Sequence, residues 1–465
     1  MDRDEPPHQR EPRERWLDED ETAPPERRAA GNERRYAPPG WRPPQILTWL
    51  LLGMLVVMVL SFTYLKDEPE PWEDDLRRPI FTEKTPDLSA PARMKVMLAA
   101  AGKVNLQGLS AEPPWRWDTP ALSQVLDQHG PVLDNLRDLL EEKEDEWQPR
   151  SLLWMIEDFG ADAGWQAVMR LKQVESAYLA RRGQEHQAFL AAMDLVVLGH
   201  LLEKVDAWPS FMDRAMEMQE RCAHSLAELL RATQLDAESL RRLQEQEYAP
   251  WAPSVEALRE AMSGYYAFER KLLLGPDGGE PALPPGYQPA RTEWIFFKPN
   301  ATLHLFADSF RELKNESSST VMTRQNQIGS RLRQRVRQEG GLPEANATGE
   351  EYFAARIQPY FALPDRHGLA RAQHAAIMTL FAVRRFILKQ ARLPKDGKEL
   401  TSLYLPENVV DPFSGERMRI NMAQGLIYSV GTDLRDDGGR VTALPLEDAT
   451  EPTLEIGVRV AKPAG

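Results

Sequence analysis

The feature that most constrains this chain is a stretch without a single charge. From Pro43 to Leu65, PPQILTWLLLGMLVVMVLSFTYL, no side chain is ionisable under ordinary conditions except the phenol of Tyr64. Its core, Ile46 to Leu65, is twenty residues, roughly 30 Å as a helix, which matches the hydrocarbon thickness of a bilayer. Trp49 and Tyr64 fall near its two ends, where amphipathic rings favour the headgroup region, and Arg42 and Lys66 close it. A single transmembrane helix at 45–65 is expected. A cleavable signal peptide fits poorly: the preceding region and the apolar run are both too long, and no small-x-small site follows Leu65. Arg34, Arg35 and Arg42 precede the run, and the acidic KDEPEPWEDD follows it. That bias favours a cytoplasmic N-terminus and a large domain on the other side, in the periplasm or otherwise extracytoplasmic.

Around this run the chain changes character several times. Residues 1–44 mix both charges with Pro and Gly and offer nothing to bury, so a disordered cytoplasmic tail is expected. Residues 66–90 read as an acidic, proline-containing stalk that is extended and holds the rest away from the anchor. Residues 91–274 carry apolar side chains at helical spacing. Thr119-Pro120 reads as a helix start with Thr119 as cap, and Gly130-Pro131 as an interruption. The pattern from Ala161 to Arg182 stops at Gly183, and AFLAAMDLVVLGHLLEKV is apolar on most faces and should be deeply buried. Further helices are expected near 208–233, 236–247, capped by Asp236, and 253–274. A mainly α class follows, as a helical bundle or stacked hairpins.

Residues 275–291, GPDGGEPALPPGYQPAR, form a loop or linker. A helical segment at 292–364 comes next, with an aromatic strand-like run, a helix from near Asn300 and another over 317–338. The stretch 365–465 reads as a small α+β module: a long helix over 365–392, a hairpin of MRINM and LIYSV around Ala423-Gln424-Gly425, and a third strand in TLEIGVRV.

Composition excludes some functions. A net charge of −14 argues against a nucleic-acid partner, because phosphates repel it. The lone Cys222 allows neither an internal disulfide nor a thiolate metal cluster, and its place on a helical pattern suggests a small buried residue. There is no G-x-S-x-G, H-E-x-x-H, P-loop or dinucleotide fingerprint. His367 and His374 share a helix face but lack a third ligand, so surface or capping roles are expected. The arginines of RLRQRVR (331–337) spread round a helix as a solvated face would, and aromatics such as Trp165, Tyr178, Tyr265 and Tyr266 suit a core.

One motif is more specific. The C-terminal stretch runs through Asp411-Pro412-Phe413 and Gly415, then Tyr428-Ser429-Val430-Gly431, then Asp433, Asp436, Asp437, Gly438 and Gly439. Three carboxylates within five residues repel one another unless a cation sits among them, and calcium, which takes several oxygen ligands, suits Asp433, Asp436 and Asp437. This ending resembles the C-terminal part of the type II secretion major pseudopilins. It resembles more closely a set of uncharacterised bacterial envelope proteins that share D-P-F-x-G…Y-S-x-G-x-D-x-x-D-D-G-G. The resemblance covers about a fifth of the chain and implies a calcium-binding loop at those three aspartates. It also implies a secretion or pilus-type system as partner. Unlike pseudopilins, this chain has a long N-terminal tail, no acidic residue in its apolar run and a large helical insert. The reading is therefore a non-enzymatic single-pass envelope protein, its bilayer contact at residues 46–65 and its helical domain a scaffold for an unidentified protein partner. The alternative is a membrane-tethered, hydrolase-like enzyme with a pocket among the helices.

Overall fold

The computed structural model describes residues 43–73, 75–76, 90–104, 112–141, 162–204, 209–274, 297–316, 346–400, 403–421, 425–432, 434–436, 438–439 and 453–455. The tail 1–42, the stretch 275–296 and the expected helix at 317–338 with its arginine run lie outside the described residues. The chain divides into two units, Met1–Ser61 and Phe62–Gly465.

The first unit carries most of helix α1 (Pro43–Leu65), whose described apolar side chains, from Ile46 to Val59, are all exposed. Among the described residues no helix is long and apolar enough to cross a membrane. The unbroken run with described side chains is fourteen residues, about 21 Å of helix.

The second unit is mainly helical, with a small sheet. Its helices are α2 (Ala90–Ala101), α3 (Thr119–Leu140), α4 (Asp162–Arg181), α5 (Glu185–Lys204), α6 (Pro209–Ala232), α7 (Ala237–Arg242), α8 (Val255–Leu274), α9 (Pro299–Glu316), α10 (Ala347–Phe361) and α11 (Leu363–Gln390). One apolar core gathers the inner faces of α2 to α7, the second half of α11 and the start of the C-terminal module. A second gathers α8, α9, α10 and the start of α11. Two helices belong to both: α6 gives Met212 and Met216 to the second core and Ala215, Met218 and Cys222 to the first, while α11 gives Leu363 and Ala370 to the second and Ile377 to Phe386 to the first. The helix expected to open a separate C-terminal module is thus shared by the whole unit.

Local chemistry explains most helix ends. Asp236 caps α7 by accepting from Ser239 N at 2.7 Å. Gly183, at φ +74°, ends α4, and Gln184 N then bonds to Leu179 O at 2.9 Å. At α3 the cap is Asp118, which accepts from Ala121 N at 2.9 Å, and not the expected Thr119. The interruption expected at Gly130-Pro131 does not occur: α3 runs through Pro131. Proline removes one helical hydrogen bond there, but buried Leu122 and Val125 before it and Leu133, Leu136 and Leu139 after it hold one face against α2 and α4. A π turn, Leu243–Tyr248, follows α7 and brings Gln244 and Tyr248 inward together. Where α2 crosses α4, Gly164 is required: a Cβ there would stand 2.7 Å from the Leu98 carbonyl oxygen.

At the C-terminus, β1 (Arg419–Asn421), β2 (Leu426–Tyr428) and β3 (Thr453–Glu455) form an antiparallel sheet in the order β1-β2-β3. Ile420 pairs with Ile427, which pairs with Leu454. Ile427, Met418, Tyr404 and Leu405 join the first core.

Candidate functional site

The motif singled out in the sequence builds a small, tightly bonded corner. Asp411 is wholly buried and its carboxylate accepts four hydrogen bonds. Phe413 N (3.0 Å) and Ser429 Oγ (2.7 Å) reach Oδ1, while Ser414 Oγ (3.0 Å) and Val430 N (3.1 Å) reach Oδ2. The bond to Phe413 N is an Asx turn, which Asp favours before proline. Gly415, at φ +72°, closes the turn, its N–H donating to Asp411 O at 2.8 Å. Asp411 thereby ties the D-P-F-S-G turn to the end of β2.

Of the three aspartates expected to hold calcium, Asp433 and Asp437 lie outside the described residues. Asp436 is engaged by the protein itself: Tyr428 OH donates to its Oδ1 at 2.9 Å, Gly438 N at 3.0 Å, and Arg419 Nε stands 3.2 Å from its Oδ2. The adjoining backbone takes left-handed conformations at Gly431, Leu434, Gly438 and Gly439. A Cβ at Gly439 would lie 2.9 Å from the Tyr428 ring, so only glycine lets the loop close over it. Among the described residues no group of three or more His, Cys, Asp or Glu is placed to hold a metal.

The acidic segment after α1, expected as a free spacer, is instead a strap bound along α8 and α9. Asp67 accepts from Asn300 N (2.9 Å) and Ala301 N (3.2 Å) at the start of α9, where the helix dipole also favours a carboxylate. Glu68 O accepts from Asn300 Nδ2 at 2.8 Å and Pro69 O pairs with His304 Nε2 at 2.9 Å. Buried Glu73 takes Tyr266 OH at 2.5 Å and Arg270 Nε at 2.9 Å. Burial and the Glu73 carboxylate both push the Tyr266 phenol up. Asp75 takes Arg311 Nε at 2.8 Å, a bond that holds its carboxyl below the usual range. Arg311 also donates to Trp72 O and Lys314 to Asp75 O, and Leu76 is buried in the second core. Residues 77–89 lie outside the described residues. Sequence reading missed the strap because its partners lie some two hundred positions away and an acidic run normally stays solvated.

Two further buried charged groups join elements. Glu269 is fully buried on α8 and takes two bonds from Arg356 (2.8 and 2.6 Å) and one from Tyr360 OH (2.6 Å), both on α10. Arg385, buried on α11, donates to Gln244 Oε1 in the π turn and to the carbonyls of Leu403 (3.0 Å) and Tyr404 (3.1 Å). His367 and His374, expected at the surface or at caps, are both interior on α11, and burial lowers each to about 3. His374 stacks on Tyr248 at 4.4 Å, with Gln219 Nε2 3.4 Å from its Nδ1 and 3.1 Å from Tyr248 OH. His367 Nε2 has no hydrogen-bond partner among the described residues. Cys222 is buried as expected, and burial pushes its thiol well up. A thiol so placed stays protonated and is a poor nucleophile.

In comparison with known proteins, the chain matches no family model, and no curated protein or solved structure is significantly similar to it.

Proposed function

We propose that this chain is a non-enzymatic, single-pass protein of a bacterial cell envelope, whose helical body is a scaffold that a protein partner docks against. In this reading α1 crosses the inner membrane with residues 46–65 in lipid. The tail 1–44 is cytoplasmic, and the helical body with its pseudopilin-like C-terminal corner is periplasmic. The observation that carries it is the uncharged run from Pro43 to Leu65 on a 23-residue helix, about 34 Å long. Its side chains from Ile46 to Val59 present Leu, Met, Val and Trp outward, Met54 at 69% and Leu50 at 65% exposure. So large an apolar surface is costly in water and favourable in lipid. The scaffold part is supported by what the buried ionisable groups do: Glu73, Glu269, Arg385 and Asp411 are each bound to neighbours that hold elements together.

The test is fractionation of cells expressing the full chain. The protein should sediment with membranes, resist carbonate and high-salt washing, and dissolve only with detergent. Protease added outside spheroplasts should cut the body and spare the tail. Recovery in the aqueous fraction overturns the reading, as does protection of the body from external protease. A secretion or pilus-type partner follows from the C-terminal resemblance, and crosslinking in intact cells identifies what the body touches.

A further inference from the structure

We propose that the face formed by α8 and α9 is a recognition surface for an acidic segment, with the strap as its built-in occupant, and that a matching segment supplied in trans competes for it. The strap is bound as a peptide ligand is bound. Residues 66–73 are in neither helix nor strand, Leu76 N closes a turn on Glu73 O at 2.8 Å, and the carbonyls of Glu68, Trp72 and Asp75 accept from Asn300, Arg311 and Lys314. Its side chains supply the sequence reading. Asp67 sits on the first turn of α9, Glu73 enters the Tyr266–Arg270 notch, Asp75 meets Arg311, and Leu76 fills an apolar hole. The spacing defines the ligand: an aspartate, five residues, a glutamate, one residue, an aspartate and an apolar residue. Trp72 is 68% exposed, and its carbonyl accepts from Arg311.

Several of these contacts are solvated. Asp75, Glu68, Glu70 and Arg270 keep between about a third and two-thirds of their side chains exposed. Exposed ion pairs hold weakly and are screened by salt. Buried Glu73 and Leu76 anchor the strap, and its tether adds a high effective concentration, on the order of millimolar for a short linker. A segment in trans gains access when the cis strap is loosened.

The experiment uses the full chain in detergent micelles and a fluorescent peptide of residues 66–77, KDEPEPWEDDLR, read by fluorescence anisotropy. The reading does not depend on whether α1 inserts in a bilayer. Against the natural chain, binding should be weak. Against the E73Q/D75N chain it should tighten by about ten-fold or more, because the internal competitor is weakened. A peptide carrying the same two changes should lose binding to that chain, a control that leaves the protein's fold untouched. No gain with the loosened chain, or equal binding by the altered peptide, overturns the proposal.

Discussion

Replacing Asp411 with asparagine changes almost no volume, yet it should be damaging. Each carboxylate oxygen accepts from one backbone N–H and one hydroxyl: Phe413 N and Ser429 Oγ on Oδ1, Val430 N and Ser414 Oγ on Oδ2. In asparagine one of these oxygens becomes an NH2. Whichever way the amide is turned, the NH2 faces a backbone N–H that cannot rotate away. A serine hydroxyl can turn to accept; the N–H cannot. An unpaired buried donor costs about 1–3 kcal/mol, and loss of the charge from the remaining bonds adds about as much again. The expected destabilisation is therefore about 2–5 kcal/mol, against about 1 kcal/mol for Ser414→Ala. Hydrogen exchange of the full chain by mass spectrometry reads this locally. Amides in 411–416 and 428–431 should exchange about 30-fold or more faster in D411N, since each 1.4 kcal/mol is ten-fold, while those in α4 and α5 stay unchanged. Unchanged protection around Val430 in D411N would refute the hub role of Asp411.

Other consequences follow from the same packing. His367 and His374 sit near 3, below their ordinary 6.5, because they are buried. The unfolded chain takes up these protons as pH falls through 6.5 and the folded chain does not, so the stability they contribute is whole above that value. It is lost down to about 3, at about 1.4 kcal/mol per pH unit per ring. Melting temperature should fall from pH 7 to pH 5, and His374→Gln should make that fall shallower; a parallel profile contradicts the assignment. Gly164→Ala places a Cβ 2.7 Å from a backbone oxygen of α2. It should cost about 1–3 kcal/mol in thermal or denaturant melts, and a neutral outcome would mean that α2 and α4 do not cross so closely. If the aspartate loop takes calcium, millimolar calcium should raise the melting temperature and Asp436→Asn should abolish the rise, with about 2.7 kcal/mol gained at a hundred-fold excess over Kd. A flat response removes the metal from the reading.

Elements whose cause is local were legible in the sequence, and elements fixed from a distance were not. Asp236 and Gly183 were readable because a cap and a left-handed stop depend on residues within one turn. The start of α3 was misplaced by one residue, since Asp118 and Thr119 are both good caps and only packing chooses between them. Gly130-Pro131 was misread for a related reason: propensity predicts a break, and burial on both sides of it keeps the helix whole. The β1–β2 hairpin was visible from alternation and a glycine, Gly425, at φ +69°. The D-P-x-x-G turn is the sequence signal for Asp411, while Asp433, Asp436 and Asp437 form the denser carboxylate cluster further on. Nothing near the strap in sequence announces Tyr266, Arg270 or Arg311. Nothing in the spacing of His367 and His374 says that α11 is surrounded on most sides.

The placement of the buried charges follows a logic that apolar packing alone would not supply. Alanine, leucine and methionine dominate where α4, α5 and α6 meet, and there Gly199 packs so closely on α6 that a Cβ would lie 3.2 Å from the Ala215 carbonyl oxygen. A carboxylate with fixed donors does not permit sliding. Glu269 sets α10 against α8, Arg385 sets α11 against the π turn and the loop at 403–404, Asp411 sets the C-terminal turn against β2, and Glu73 sets the strap against α8. Buried ion pairs add little net stability, because desolvation offsets most of their attraction. In the proposed scaffold their part would be to fix how the elements they join are set against one another. At Glu269 and Asp411 the acceptor positions face donors of the protein itself.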